Sequence, residues 1–221
     1  MNIEIGLSGF LFLFIIVTNL ASNYFGYKTL GKVDAEVKLQ DISQAQQKFK
    51  VGVILILIEH IGIILLALML FIAFGHYNII LGIVWGTSRI IEALIQIYDK
   101  KNYWGLLNIA IKYSSVDEPE KDVLINSSEN IFKLKEFKFA VAQIFFSIGT
   151  LAYSTLFVIY GVVPLFIGWI GIVAGILYGL GSGLYLRNSQ IKALWSIGGL
   201  LILLYEIILG IWLLWYSIII P

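Results

Sequence analysis

The feature that most constrains this chain is a series of six apolar stretches, each about 20 residues or longer. They cover residues 6–27, 51–74, 78–98, 139–160, 164–186 and 193–219. A helix rises ~1.5 Å per residue, so about 20 residues cross the ~30 Å hydrocarbon layer of a bilayer. Lipid offers no hydrogen bonds to the backbone, which favours helices. The sequence therefore predicts an all-α, polytopic transmembrane bundle of six spans, forming a single domain over residues 1–221.

The composition supports this fold class and excludes several functions. Apolar residues make up 59% of the chain and charged residues 13%, and the mean hydropathy is +0.91. The net charge of +1 provides no basic field for nucleic acid. The absence of cysteine excludes disulfides, thiolate metal sites and thiol nucleophiles. We therefore expect no cofactor, no metal and no nucleic-acid partner.

The distribution of lysine and arginine predicts the orientation. Apart from Arg89, all of these residues fall between spans one and two, three and four, or five and six. Positive residues are retained on the cytoplasmic side. Both termini should therefore lie outside the plasma or inner membrane, with connectors 28–50 and 99–138 in the cytoplasm. The first stretch has no basic residue before it and no clear cleavage site, so we expect a span and not a signal peptide.

The long connectors contain apolar residues at helical spacing. Leu30, Val33 and Val37 predict an amphipathic helix on the inner surface, in contact with anionic lipid head groups. Residues 101–113 show a similar pattern, which predicts a continuation of the third span along the interface. For both amphipathic segments, docking of another membrane protein is the alternative interpretation. The polar segment from Ser114 to Asn130 contains a proline and predicts a mobile loop.

Ionisable side chains at membrane depth are the main functional candidates, because each costs at least ~2.5 kcal/mol to insert. Counted from the cytoplasmic ends at ~1.5 Å per residue, Glu59 and Arg89 both lie about 13 Å deep and Asn19 about 12 Å. This shared depth predicts one polar cluster, with Glu59 or Glu92 as the counter-ion of Arg89. The residues proposed for a ligand or proton site are Asn19, Asn23, Glu59, Arg89, Glu92 and Glu206.

Two interpretations of this cluster stay open. It could be a buried ion pair with an amide ladder that only joins helices, or a polar cavity that binds a small molecule or relays protons. His60 follows Glu59 directly, so we expect it to face elsewhere as a packing residue.

Span five carries a series of glycines separated by three or four residues, which places them on one helix face. Small residues at this spacing allow another helix to approach closely. We expect this face to pack within the bundle rather than form a dimer. The glycines are Gly168, Gly171, Gly175, Gly179 and Gly183.

Two stretches resemble a known family. The run WGTSRIIEA at residues 85–93 resembles the R-x-x-E-A signature in the third span of the DUF4386 family of six-span prokaryotic membrane proteins. The stretch YGVVPLFIGWIG at residues 160–171 is similar to that family's proline-and-glycine entrance to span five. The resemblance implies the helical architecture and singles out Arg89 and Glu92, but it implies no activity. The excess of lysine over arginine, with abundant isoleucine, also favours a prokaryotic or archaeal source.

Three classes of function stay open. The first is a small-molecule or proton-linked carrier or sensor that uses the polar cluster. The second is a non-catalytic accessory or structural subunit of a membrane complex, joined through the glycine face or the inner amphipathic helices. The third, an intramembrane enzyme, is least favoured because the chain has no H-E-x-x-H or G-x-S-x-G motif and no cysteine nucleophile.

Overall fold

The computed structural model describes residues 3–27, 34–187 and 193–219, which form seven α-helices with no strand among them. Six of these helices are long and apolar enough to cross a membrane, which confirms the predicted all-α, multi-pass architecture. The sidedness of the termini stays a prediction. Leu30 and Val33 of the predicted amphipathic segment lie outside the described residues. The helices are α1 (Ile3–Ser22), α2 (Ala35–Gln44), α3 (Gln46–Phe74), α4 (Ile79–Tyr113), α5 (Glu120–Tyr160), α6 (Leu165–Arg187) and α7 (Ala193–Ile219).

The six spanning helices form a closed ring. Each packs against the next in the order α1, α3, α4, α5, α6 and α7, and α7 packs back onto α1. We call the end of the ring with the short turns 75–78 and 161–164 the turn end, and the end that carries α2 the basic end. The interior near the turn end is filled by aromatic and aliphatic side chains that include Phe12, Tyr153, Phe157, Tyr205 and Leu209.

Local signals fix the ends of the helices at the turn end. Asn78 caps α4 by accepting a hydrogen bond from the Leu81 amide at 3.1 Å. Gly161 adopts a left-handed conformation with a φ of 63°, which glycine tolerates without steric cost. The Val162 amide then donates to the Phe157 carbonyl at 3.1 Å, as in a Schellman cap. These caps allow the chain to reverse within four residues.

The helices α4 and α5 are longer than a bilayer requires. They contain 35 and 41 residues, which correspond to about 52 Å and 62 Å. The prediction of a mobile loop from Ser114 to Asn130 is therefore wrong from Glu120 onward. The polar residues of this segment occupy the outer face of an amphipathic helix, whose inner face carries Ser128 and Phe132, both buried.

The basic end carries a small helical lobe, which we define as α2 with residues 99–135 of α4 and α5. On α2, Ala35, Leu39 and Ile42 are buried in a cluster that includes Tyr103 and Phe132. Val37 is 53% exposed, so the packed face of α2 differs from the apolar face expected from Val37. Residues 101–113 likewise pack within the lobe as a direct continuation of α4. Part of the apolar surface of both connectors thus makes protein contacts, whereas Val37, Trp104 and Ile111 are exposed.

A lysine joins the lobe to the end of α1. Lys38 of α2 donates to the Gly26 carbonyl at 3.0 Å, in the short segment Asn23–Tyr27 that follows α1 and kinks at Gly26, whose φ is 80°. Burial lowers the pKa of Lys38, and the Asp41 carboxylate opposes this shift. The contact holds α2 beside the end of the first span.

Candidate functional site

A cavity of about 360 Å³ lies inside the ring toward the basic end. All six spanning helices contribute side chains to its wall. Its apolar lining consists mainly of isoleucine, leucine and phenylalanine. The polar and charged residues that line it are Asn19, Asn23, Glu59, His60, Arg89, Glu92, Gln96, Lys135, Gln143, Tyr178 and Glu206.

An amide ladder holds Glu59 on the α1 side of the cavity. The Asn19 Nδ2 lies 3.1 Å from both carboxyl oxygens of Glu59. Asn23, four residues after Asn19 and directly after the end of α1, donates to the Asn19 Oδ1 at 3.2 Å. The ladder fixes the Glu59 carboxyl without using a cation.

Arg89 pairs with Glu92 on the same helix. The Arg89 Nη1 lies 2.8 Å from the Glu92 Oε2, and both side chains are 5% exposed. The Arg89 guanidinium also lies over the Phe146 ring, 4.3 Å from its centre, where the negative ring face attracts a cation. Of the two counter-ions that the sequence leaves open, the structure pairs Arg89 with Glu92, while Glu59 pairs with Asn19.

The contact between Arg89 and Glu92 leaves hydrogen-bonding capacity. Among the described residues, neither the Arg89 Nη1 nor the Glu92 Oε2 has a partner with hydrogen-bond geometry. Their proximity is therefore mainly electrostatic, and the surrounding protein encloses both atoms.

Glu206 brings a third carboxyl to the cavity from α7. It is 8% exposed, and the structure shows no hydrogen bond to its carboxyl from the described residues. All six residues proposed from the sequence for a ligand or proton site thus line the same cavity.

His60 also lines this cavity, which differs from the expectation that it faces away from Glu59. Its Nδ1 contacts the Ile56 carbonyl one turn earlier on α3. The cavity is wide enough at α3 to be bordered by two consecutive residues.

Four polar residues of the wall are not predicted from the sequence, namely Gln96, Lys135, Gln143 and Tyr178. Gln96 follows Arg89 by seven residues, so the helical repeat places it on the same face of α4. Lys135 and Gln143 lie on α5, and Lys135 is only 5% exposed. The sequence places Lys135 in an aqueous connector, because the length of α5 is not evident from its apolar stretch.

Four glycines of span five lie against α5. A Cβ at Gly168 would meet Val158, one at Gly175 would lie 3.1 Å from Leu151, and one at Gly179 would lie 2.9 Å from Ser147. A Cβ at Gly171 would overlap both Ser154 of α5 and Tyr205 of α7. A Cβ at Gly183 would have no neighbour within 4 Å among the described residues, so this glycine does not share the contact.

The comparisons with known proteins give a match to a family model. Residues 7–216 match the family model described as Domain of unknown function (DUF4386). No curated protein and no solved structure matches the chain. In the described part of the chain, no group of three or more histidine, aspartate or glutamate residues is placed to hold a metal ion.

Proposed function

Because the chain belongs to the DUF4386 family, whose description assigns no activity, we propose its function from the cavity. The protein binds a small polar or ionisable molecule at membrane depth, as a carrier or a sensor. The observation that carries this proposal is the cavity beside the buried Arg89 and Glu92.

The empty volume beside the charged side chains favours binding over a purely structural role. Protein interiors are close-packed, so a polar cluster that only stabilised the bundle would need no space next to it. A volume of about 360 Å³ lies within the usual range of ligand pockets, roughly 300–1,000 Å³. A wall with a few charged groups among apolar residues is also typical of such pockets.

The charges of the wall suit an ionisable ligand or a coupled proton. Glu59, Glu92 and Glu206 supply three carboxyls, whereas Arg89 and Lys135 supply two cationic groups. Carboxyls at membrane depth are common in proton relays and coupled transporters. A ligand or a proton would thus change the charge balance of the site.

A thermal-shift screen of the purified protein in detergent tests the proposal. Small amines, acids and zwitterions are added separately at pH 7, and a ligand is expected to raise the Tm of the wild type. Arg89→Ala and the isosteric Glu59→Gln should each abolish or strongly reduce the shift. Arg187→Ala, at an exposed arginine outside the cavity, is the matched control and should retain it.

Two results would contradict the proposal: no compound shifts the Tm, or the shift is the same in both cavity variants as in the wild type. Once a ligand is found, flux into proteoliposomes separates the two forms of the proposal. A carrier moves the ligand across the bilayer, whereas a sensor only binds it.

An accessory subunit is the second candidate, and the lobe at the basic end supports it. The lobe extends a helical surface beyond the length of the spans, where a partner or anionic lipid head groups could bind. This alternative predicts that a stoichiometric partner co-purifies in mild detergent. A protein that elutes alone argues against it.

A further inference from the structure

The cavity reaches the outer surface of the ring between α1 and α7. Near the turn end these two helices are in tight contact, since a Cβ at Gly9 would lie 2.7 Å from the Gly210 carbonyl oxygen. Toward the basic end, Leu20 of α1 and Leu203 of α7 both line the cavity. These leucines are 61% and 36% exposed, so the cavity opens to the outside between them.

The opening lies within the apolar length of the two spans. Leu20 lies one residue after Asn19, at a depth of roughly 10 Å from the end of the span. The surface on either side is apolar, because Val17 and Leu200 are exposed there. A molecule dissolved in the adjacent leaflet can therefore reach the cavity without crossing the aqueous phase.

The ring places two of the three carboxyls, Glu59 and Glu206, on other helices than Arg89 and Lys135, whereas Glu92 lies beside Arg89. Glu206 comes from α7, and the Asn19–Glu59 ladder lies between α1 and α3, so these carboxyls are close to the opening. Arg89 and Lys135 come from α4 and α5, which lie across the ring from α1 and α7. A ligand that enters through the opening meets carboxyls first.

Glu206 is the carboxyl best placed to receive a cation. Its side chain is more than nine-tenths buried and faces the cavity. Glu59 is held by Asn19 and Glu92 by Arg89. Arg89 also attracts Glu206 electrostatically, but none of the described residues donates a hydrogen bond to the Glu206 carboxyl. An ammonium group would satisfy this acceptor, and the surrounding isoleucine and leucine side chains would contact an apolar tail.

We infer that the cavity takes amphipathic organic cations from the lipid through the opening between α1 and α7, with Glu206 binding their ammonium group. This inference rests on the proposed function and adds the ligand class and the route of access. The ligand class is a primary amine on a short apolar chain or ring, of a size that fits about 360 Å³.

A matched series of ligands tests the class. The full chain in nanodiscs at pH 7 is titrated by calorimetry with 4-phenylbutylamine, 4-phenylbutanol and 4-phenylbutyrate, which share the apolar part and differ in charge. The amine should bind at least ~10-fold more tightly than the other two, a difference of about 1.4 kcal/mol. Glu206→Gln should weaken amine binding at least ~10-fold, whereas Glu129→Gln, at an exposed acid of α5, should leave it unchanged.

The titration results distinguish a failure of this inference from a failure of the proposed function. Tighter binding of 4-phenylbutyrate, dependent on Arg89, overturns the cation class but supports a ligand cavity. Equal amine affinity in Glu206→Gln and wild type overturns the role of Glu206. If none of the three compounds binds, the inference is wrong, and the proposed function is decided by the thermal-shift screen.

The route of access is tested by narrowing the opening. The double variant Leu20→Trp, Leu203→Trp should lower the association rate of 4-phenylbutylamine at least ~10-fold. Ile211→Trp, at an exposed position of α7 away from the cavity, should not change it. An unchanged association rate in the double variant would show that the ligand does not enter between α1 and α7.

Discussion

At the scale of single residues, the polar groups of the cavity differ in how they are stabilised. Glu59 has an amide partner, Glu92 has a cation, and Arg89 has both a carboxylate and an aromatic ring. Burying an ion is costly unless its partner is buried with it. The consequence of removing a side chain therefore depends on which group it leaves unpaired.

Arg89→Met should strongly destabilise the protein, because it leaves the buried Glu92 without its cation. We expect the free energy of unfolding to fall by roughly 3–5 kcal/mol, measured by SDS-induced unfolding of the purified protein. The double variant Arg89→Met, Glu92→Gln should regain part of the loss. Lys133→Met removes an exposed ion pair with Glu129 and should lower the free energy of unfolding by at most about 1 kcal/mol. Similar losses for Arg89→Met and Lys133→Met would contradict the role of Arg89 as the buried partner of Glu92.

Much of the site can be predicted from residue depth. Asn19, Glu59 and Arg89 lie at a similar distance from the ends of their spans, and the structure brings them to one cavity. The choice of Glu92 as the counter-ion depends on side-chain rotamers, which spacing alone does not determine. Lys135 is not predicted, because a lysine near the end of an apolar stretch usually lies in water.

At the scale of helices, the contact of α6 with α5 and α7 depends on missing side chains. Ser154 of α5 and Tyr205 of α7 form a buried hydrogen bond of 2.8 Å next to Gly171. In a membrane, association of helices relies on such close packing and polar contacts, since lipid is as apolar as the helix surfaces.

Gly171→Ala should destabilise the protein, whereas Gly183→Ala should not. The new Cβ at position 171 would overlap Ser154 and Tyr205 and should cost about 1–3 kcal/mol by overpacking. A Cβ at position 183 would meet no described atom within 4 Å, so alanine there should leave stability unchanged or raise it by up to ~1 kcal/mol through helix propensity. The Tm values of the two variants in detergent check this, and a similar Tm for both would be inconsistent with the packing of α6.

The stability of the lobe should depend on the buried Leu39 of α2 and not on the exposed Val37. Leu39 is fully buried in the lobe, so Leu39→Ala should destabilise the docking of α2 by about 2–5 kcal/mol. Trypsin should then cleave the lobe at its lysines much faster than in the wild type. Val37→Ala, on the exposed face of the same helix, should not change the rate; faster cleavage in both variants would argue against the observed face.

The sequence predicts the spans well but not the lobe. Long apolar runs are the strongest signal for a helix in lipid, and all six lie in helices. The start of α5 at Glu120 is not predicted, because most of the helix surface in its first turns is polar. Their inner face is revealed only by the α2 and α4 residues that cover it.

At the scale of the whole molecule, the orientation in the membrane can be tested by labelling. The chain contains no cysteine, so a label that reacts with thiols can attach only at a cysteine introduced by mutation. We expect the His76→Cys variant, in the turn end, to react with a membrane-impermeant maleimide in intact cells. Ser115→Cys, in the exposed turn between α4 and α5, should react only after permeabilisation, and the reverse pattern would invert the topology.

The uninterrupted length of α5 has a mechanical consequence. Phe132 packs in the lobe and Gln143 lines the cavity, yet both belong to one helix, about 16 Å apart along its axis. A rigid rotation of α5 about its axis would therefore turn Phe132 against α2 whenever it moves Gln143. The unbroken helix thus couples the shape of the cavity mechanically to the packing of the lobe, without a hinge between them.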